Sequence, residues 1–255
     1  MNINIKFLEK TLVGTTVPAP VSGTLSGHAA GEPFDKHAYR FIKEHYVGKT
    51  FRQYEFLNKL YSDNPKVVSV SDRLGLIKIR ALAFLLNRGK DAIEEWSASN
   101  LFVEKQNDTA DIVVIEKDFF NLIDVKTYNV ARNGQPPNII SAYKVAKMCA
   151  LMLDTGNFSS HDISYVGITW EIDGENLKCT RASAKQLFKT DPAKLYINWA
   201  AAMQIQFHVE ALDQSYGGTV EQWCKDYLRT FVTQAKGRAK IMLLRFVKPF
   251  EKFLK

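Results

Sequence analysis

Asp111-Ile-Val-Val-Ile-Glu116 and, two residues later, Phe119-Phe-Asn-Leu-Ile-Asp-Val-Lys-Thr127 are apolar, β-branched runs that predict two adjacent strands, joined as a hairpin. Side chains alternate between the two faces of a strand, so Asp124 and Lys126 share one face and Ile123 and Val125 the other. The hairpin also brings Asp111 beside Asp124. The pattern therefore predicts three charged groups at the apolar centre of the protein.

The sequence on either side of this hairpin predicts further helices and strands. Three helices are expected in the first part of the chain: one opened by Glu32-Pro33, one at about 51–61, and one at about 79–87 that Gly89 ends. A fourth is expected at about 138–154. A capping box of Thr219 and Gln222 opens the long last helix, and Pro249 ends or kinks it. Pro18 to Gly31 is predicted to be a loop. Strands are expected at 162–172, 176–180 and 204–209. The fold class predicted is α/β, a central mixed sheet flanked by helices. The three N-terminal helices are expected to form one layer.

Composition excludes several classes of protein. The 255 residues are 46% hydrophobic and 12% aromatic, enough to bury a large core, so the chain is not predicted to be disordered. No apolar run approaches the roughly 18 residues that cross a bilayer, so no membrane association is expected. Three widely spaced cysteines predict neither a disulfide framework nor a zinc site, and favour a cytoplasmic location. The length suits a single domain, with a helical layer over about 1–100 and a catalytic sheet core over about 101–255.

Positive charge is concentrated at the C-terminus. The whole chain carries a net charge of +7, and Ala235 to Lys255 alone hold seven lysines or arginines and one glutamate, a net +6. This balance is compatible with a polyanionic partner such as nucleic acid. A solvated helix is the plainer alternative, because the same segment contains an apolar face: Met242, Leu243, Phe246, Phe250 and Phe253.

The three charged groups of the hairpin form a chemically specific set. Two carboxylates at one point repel each other, and a divalent cation removes that conflict. Mg²⁺ suits such a site because it takes one or two protein carboxylates and leaves its other positions to water and phosphate. Lys126 could orient and help deprotonate a water nucleophile, or neutralise charge developing on the phosphate. An ordinary salt bridge at a strand end is the alternative, although Asp124-Val125-Lys126 is the only acidic-x-Lys triplet in the chain.

These residues resemble the motif of the PD-(D/E)xK nucleases, and the wider chain resembles the HincII-like type II restriction endonucleases within that superfamily. Ala110 stands where the motif has proline, a change that the HincII-like enzymes share. The matching blocks follow one another in order along most of the chain: 22–34, 104–112, 124–127, 137–144, 197–208, 231–235 and 246–250.

The resemblance implies a homodimer that cuts double-stranded DNA at GTYRAC, where Y is a pyrimidine and R a purine, and leaves blunt ends. Asp111 and Asp124 would bind Mg²⁺ together with the backbone carbonyl of Val125. Lys126 would lie beside the attacking water. The resemblance thus implies the fold of a PD-(D/E)xK restriction-endonuclease-like core and the activity of a type II site-specific deoxyribonuclease.

Candidate DNA contacts lie in other segments. By resemblance, Gln135 wedges into the duplex, Asn138 reads the central bases and Asn198 contacts a second base position. From the residues alone, Asn138 could instead be a helix N-cap, and Asn198 the start of a core strand. An amide suits base reading because it offers both a donor and an acceptor. Weaker candidates for backbone or flanking contacts are Lys90, Gln106 and His28.

Two other functions are compatible with the same residues. The same catalytic core could serve DNA repair or another phosphodiester reaction, and an inert site would leave a DNA-binding module. The complete set of Asp111, Asp124 and Lys126 argues against the inert alternative.

Overall fold

The computed structural model describes residues 3–19, 28–67, 69–89, 108–131, 136–200 and 203–254, with the backbone alone for 28–32 and 70. The α-helices are α1 Leu8–Thr11, α2 His28–His45, α3 Gln53–Asp63, α4 Val70–Gly75, α5 Arg80–Leu86, α6 Ala142–Thr155, α7 Val220–Met242 and α8 Lys248–Glu251. A π-helical segment, Leu243–Val247, joins α7 to α8. The strands are β1 Thr16–Pro18, β2 Thr50–Phe51, β3 Ile112–Glu116, β4 Phe119–Asn129, β5 Asn138–Ser141, β6 His161–Asp173, β7 Asn176–Gln186, β8 Ile197–Asn198 and β9 Gln204–Gln206.

Six strands form the central mixed sheet, in the order β1-β7-β6-β4-β3-β2. The neighbours β4 and β6 are parallel, whereas the other neighbours in this sheet are antiparallel. A parallel pair needs a crossover connection, which here includes α6. A second sheet of three antiparallel strands has the order β5-β9-β8. The predicted α/β class, with a mixed sheet flanked by helices and a β3–β4 hairpin, is confirmed.

The central sheet separates two hydrophobic cores. Leu122 and Tyr165 point into the core that α3, α5, α6 and α7 cover. Ile123 and Val125 point into the opposite core, which α1 and α2 cover. Alternation along β4 therefore places Asp124 and Lys126 on the same side as Leu122.

The prediction that the first three helices form one layer is wrong. Phe34 of α2 is buried in one core, and Phe56 of α3 with Leu82 of α5 in the other. The short edge strand β2 explains the difference, because it pairs with β3 and carries the chain from one face of the sheet to the other.

The predicted helix at 138–154 begins later than expected. Residues 138–141 form β5, and Ser141 caps α6 by accepting a hydrogen bond from the Lys144 amide at 3.4 Å. The interpretation of Asn138 as an N-cap is therefore wrong. Ile139 and Ile140 are buried, and their β-branched side chains favour a strand.

The first long helix begins earlier than expected. The backbone of α2 is helical from His28, so Pro33 lies inside the helix and the predicted loop at 18–31 ends sooner. The other predicted helices and strands are confirmed with shifted ends. Gly89 has a left-handed φ of +74°, as expected where a helix ends, and Thr219 caps α7.

Candidate active site

The three charged residues predicted from the hairpin lie together in the structure. Ile112 of β3 pairs with Ile123 of β4, so Asp111, the residue just before β3, lies opposite Asp124 at the next position. The Lys126 ammonium lies 2.8 and 3.0 Å from the two carboxylate oxygens of Asp124. The Val125 amide donates a hydrogen bond of 2.6 Å to Oδ2 of Asp111. The hairpin thus holds two carboxylates and one ammonium group at the centre of the sheet.

The surroundings of this cluster disfavour the simultaneous ionisation of Asp111 and Asp124. Burial, and then repulsion by Asp124, raises the pKa of Asp111 to about 7. Burial also raises the pKa of Asp124, although Lys126 acts against that shift. Burial would lower the pKa of Lys126, but the two carboxylates outweigh it and the pKa is raised. The cluster therefore favours one shared proton, and its hard oxygen donors fit a divalent cation that could replace that proton.

A pH dependence of stability follows from Asp111. Its pKa in the folded chain is raised above the ordinary 3.8, so the stability it contributes is present at low pH and lost as pH rises through about 7. With chelator present, we expect the free energy of unfolding to fall by about 1 kcal/mol between pH 6 and pH 8. Urea titrations at the two pH values measure this change. Asp111→Asn should abolish it, and an equal fall in that variant would contradict the assignment.

Asp35 and Arg52 support the cluster from the N-terminal part of the chain. The Arg52 guanidinium lies 2.8 and 2.9 Å from the two Asp35 oxygens and donates to the Asp111 carbonyl at 3.3 Å. The negative charge of Asp35 also acts on Asp124 and Lys126. Sequence patterns did not predict this pair, because no spacing in the chain connects α2 to the start of α3.

Gln53 fixes the segment that leads into Asp111. Its side-chain oxygen accepts hydrogen bonds from the amides of Thr109 and Ala110, both at 3.1 Å. Its nitrogen donates to the Leu86 carbonyl at 3.1 Å and to Asp108 at 3.4 Å. This residue too was missed, since a glutamine at the start of a helix gives no sequence signal of such a role.

Replacing Gln53 should be costly. Gln53→Leu would leave the buried amides of Thr109 and Ala110 without an acceptor, so we expect a loss of about 3 kcal/mol in the free energy of unfolding. Chemical denaturation measures the loss, and Gln234→Leu is the control, because Gln234 is only half-buried and lies on α7, away from this segment. A loss for Gln53→Leu no larger than for the control would show that these hydrogen bonds are not important.

A second lysine approaches the cluster from the first turn of α6. The Lys144 ammonium lies 3.4 Å from the Thr109 hydroxyl, and its stem passes Gly89 so closely that a Cβ there would lie 2.5 Å from Cγ. Burial lowers the pKa of Lys144, while Asp124 and Asp108 act in the opposite direction. This cation was also missed by the sequence analysis.

The two asparagines proposed for DNA contact are joined through a third amide. Asn198 donates to the Gln206 side-chain oxygen at 2.9 Å, and Gln206 donates to the Asn138 side-chain oxygen at 2.8 Å. The Ala200 backbone amide donates to the Asn198 side-chain oxygen at 3.0 Å. These three residues, called here the amide row, cross the small sheet from β8 through β9 to β5.

The amide row has a fixed polarity. A backbone N–H can only donate, so the Ala200 amide makes the Asn198 oxygen an acceptor and leaves its nitrogen to donate to Gln206. The Gln206 oxygen accepts from Asn198, so its nitrogen donates to the Asn138 oxygen. The Asn138 oxygen is therefore used as an acceptor, and the exposed side chain presents N–H donors. The ring contact of Tyr128 with His208, 4.4 Å between centroids, joins this sheet to the end of β4.

The remaining predicted DNA contacts cannot be placed. Gln135, Lys90 and Gln106 lie outside the described residues, and His28 is described only as the first backbone position of α2. Within the described ranges, no three or more His, Cys, Asp or Glu side chains group as a metal site. No helix in those ranges combines the length and apolar composition needed to span a bilayer.

A mixed sheet with paired carboxylates and a lysine on its central hairpin is typical of nucleases with a PD-(D/E)xK restriction-endonuclease-like core. The comparisons with known proteins give the family. The model for restriction endonuclease HincII matches residues 8–254, and the chain belongs to that family.

Two curated relatives are similar over almost their whole length. The type II restriction enzyme HindII of Haemophilus influenzae Rd is 53% identical over 247 residues, which cover 97% of this chain and 96% of that enzyme. The type II restriction enzyme HincII of Haemophilus influenzae shows the same identity and coverage. The solved NlaIV restriction endonuclease is 11% identical, with a TM-score of 0.27 over 79% of this chain and 89% of that one. The chain is therefore a type II restriction enzyme, a site-specific DNA endonuclease.

Proposed function

We propose that this endonuclease is a homodimer that cleaves double-stranded DNA at GTYRAC sites, leaves blunt ends and requires Mg²⁺. The observation that carries the catalytic part is the cluster of Asp111, Asp124 and Lys126 on one hairpin, with raised pKa values for both carboxyls. The similarity to HindII and HincII supports the site preference. The whole chain would be one endonuclease domain, and its three buried free cysteines fit a cytoplasmic location.

In this proposal each residue of the cluster has one task. Asp111, Asp124 and the Val125 carbonyl would hold Mg²⁺, which when bound polarises the phosphate and lowers the pKa of a water. Lys126 would place its positive charge beside the attacking water and the developing phosphorane charge. The raised pKa of Lys126 favours this electrostatic role over that of a general base.

The polarity of the amide row supports a role for Asn138 in tolerating either purine. Adenine and guanine both present the N7 acceptor in the major groove, so an N–H donor can accept either purine at R. Pyrimidine–purine steps also deform readily, and Gln135 as a wedge would exploit that property. Asn198 would make a further base contact, and Lys90, Gln106 and His28 would contact the backbone or flanking bases.

Gln206→Glu tests this use of the amide row. Glutamate cannot donate to the Asn138 oxygen, so the Asn138 amide should turn and present its oxygen toward N7, where two acceptors repel. We expect cleavage at GTYRAC to fall by roughly 10- to 100-fold, the cost of losing a good base contact. Single-turnover cleavage measures the effect. Gln204→Glu adds the same charge two residues away and serves as the control; equal losses in both variants would rule out the specific role.

The proposed function itself is tested with plasmid DNA and Mg²⁺. Discrete blunt fragments at GTYRAC sites support the proposal. Non-specific degradation would point instead to a repair-type nuclease, and binding without cleavage to an inert DNA-binding module. Discrete fragments at another sequence would leave the restriction activity standing and overturn the proposed site.

A further inference from the structure

The C-terminal helical segment carries many exposed apolar side chains. From Lys236 to Leu254 every described residue is exposed. We call residues 241–254 the arm. Nine large apolar side chains of the arm are at least 40% exposed: Ile241, Met242, Leu243, Leu244, Phe246, Val247, Phe250, Phe253 and Leu254. The other large apolar side chains that are exposed in the described residues occur singly or in small numbers along the chain.

The apolar stripe of the arm continues a stripe that is buried in the body of the subunit. In α7, Cys224 is buried and Leu228 and Phe231 pack against the core under α6. Met242, Phe246, Phe250 and Phe253 follow at intervals of three or four residues, the spacing that keeps side chains on one side of a helix. The 23 residues of α7 span about 35 Å, so the helix leaves the body while its apolar side continues.

The apolar area of the arm matches that of a protein interface. An aromatic side chain offers roughly 150–250 Å² and an aliphatic one less, so nine large apolar side chains about half exposed present on the order of 800 Å². The largest apolar patch on a typical monomer is about 300–600 Å². A stable interface needs about 800 Å² from each partner. The arm therefore has the area of one half of a dimer interface.

We infer that the arm packs against the arm of a second copy of this chain and forms the two-fold contact of the homodimer. This inference rests on the proposed homodimer and specifies its surface. A two-fold interface uses the same patch on both subunits, so the patch must complement itself. An apolar stripe does so, whereas the charges of the arm do not, because residues 241–254 carry three cations and one anion, a net +2.

The excess of positive charge gives the contact a characteristic salt dependence. Two arms with net positive charge repel each other at low ionic strength, and salt screens that repulsion. The dimer should therefore become tighter as salt rises. A contact between the arm and DNA phosphates would weaken with salt instead, because counterions compete for the phosphates.

The test replaces two aromatic residues at the centre of the stripe. Phe246→Asp combined with Phe250→Asp should raise the dimer dissociation constant at least 100-fold in analytical ultracentrifugation of the full chain without DNA. Both side chains are more than half exposed in the subunit, so circular dichroism and the melting temperature of the monomer should be unchanged. Val47→Asp combined with Ile172→Asp is the matched control, since these apolar residues are as exposed but lie outside the arm.

The outcomes separate this inference from the proposed homodimer. A dimeric wild type that tightens with salt, together with a monomeric arm variant and a dimeric control, supports the inference. An arm variant that stays dimeric overturns the arm contact and leaves the homodimer standing. If that dimeric variant also binds DNA more weakly, the arm contacts DNA instead. A wild type that is monomeric both free and on DNA overturns the homodimer and the arm contact together.

Discussion

Asp124→Ala should reduce cleavage of a GTYRAC substrate by at least about 1,000-fold, because a proposed carboxylate ligand of Mg²⁺ and the partner of Lys126 are lost together. DNA binding should survive, since the substitution removes a negative charge that repels the phosphate. Single-turnover cleavage in Mg²⁺ measures the rate. Binding is measured in Ca²⁺, whose larger and looser coordination should permit the complex but not the reaction.

Asp118→Asn is the matched control for this experiment. Asp118 lies at the exposed turn of the same hairpin with a φ of +64°, a conformation that asparagine tolerates. Its cleavage rate should equal that of the wild type. An Asp124→Ala enzyme that still cuts at a near wild-type rate would place the active site elsewhere.

Lys126→Met should reduce cleavage by about 100- to 10,000-fold, the range associated with the loss of a residue that acts directly on the nucleophile. The methionine keeps the length and apolar stem of the side chain and removes its charge. Because the pKa of Lys126 is raised, the lysine should remain protonated at neutral pH and act through its charge. The measurement is the single-turnover rate from pH 6 to pH 9.

Lys126→Arg distinguishes the charge from the proton. Arginine keeps the positive charge and does not give up a proton in this range, so it should cleave faster than the methionine variant if charge is what matters. Equal rates for the arginine and methionine variants, with a wild-type rate that follows a single ionisation, would instead support Lys126 as the general base. Lys147→Met, one turn beyond Lys144 on α6, is the control for the loss of a lysine outside the cluster.

Sequence patterns predicted the β3–β4 hairpin well because its determinants are local. The alternation of Phe119 to Thr127 defines which side chains face the same side, and the two-residue gap after Glu116 defines the pairing. Together they determined that Asp111, Asp124 and Lys126 meet. The capping pair Thr219 and Gln222 determined the start of the last long helix for the same reason, since a cap involves only its own turn.

The start of α6 was mispredicted because the competing structures were close in energy locally. Asn138 is a good N-cap by residue type, yet residues 138–141 pair with β9, which lies some 65 residues later in the chain. Only that distant partner decides in favour of the strand. The division of the N-terminal helices between two faces has a similar cause, since it depends on the pairing of β2 with β3.

The sequence by itself determined the mixed α/β class, the hairpin and the residues of its charged cluster, because strand alternation and turn length act within a few neighbouring residues. The tertiary structure alone decided which distant side chains complete the site. Arg52, paired with Asp35, donates to the Asp111 carbonyl, and Gln53 binds the amides of the two residues before Asp111. Gln206 joins Asn138 to Asn198. These contacts depend on how separate elements pack, and a buried hydrogen-bonding group takes whichever partner the packing brings within about 3 Å.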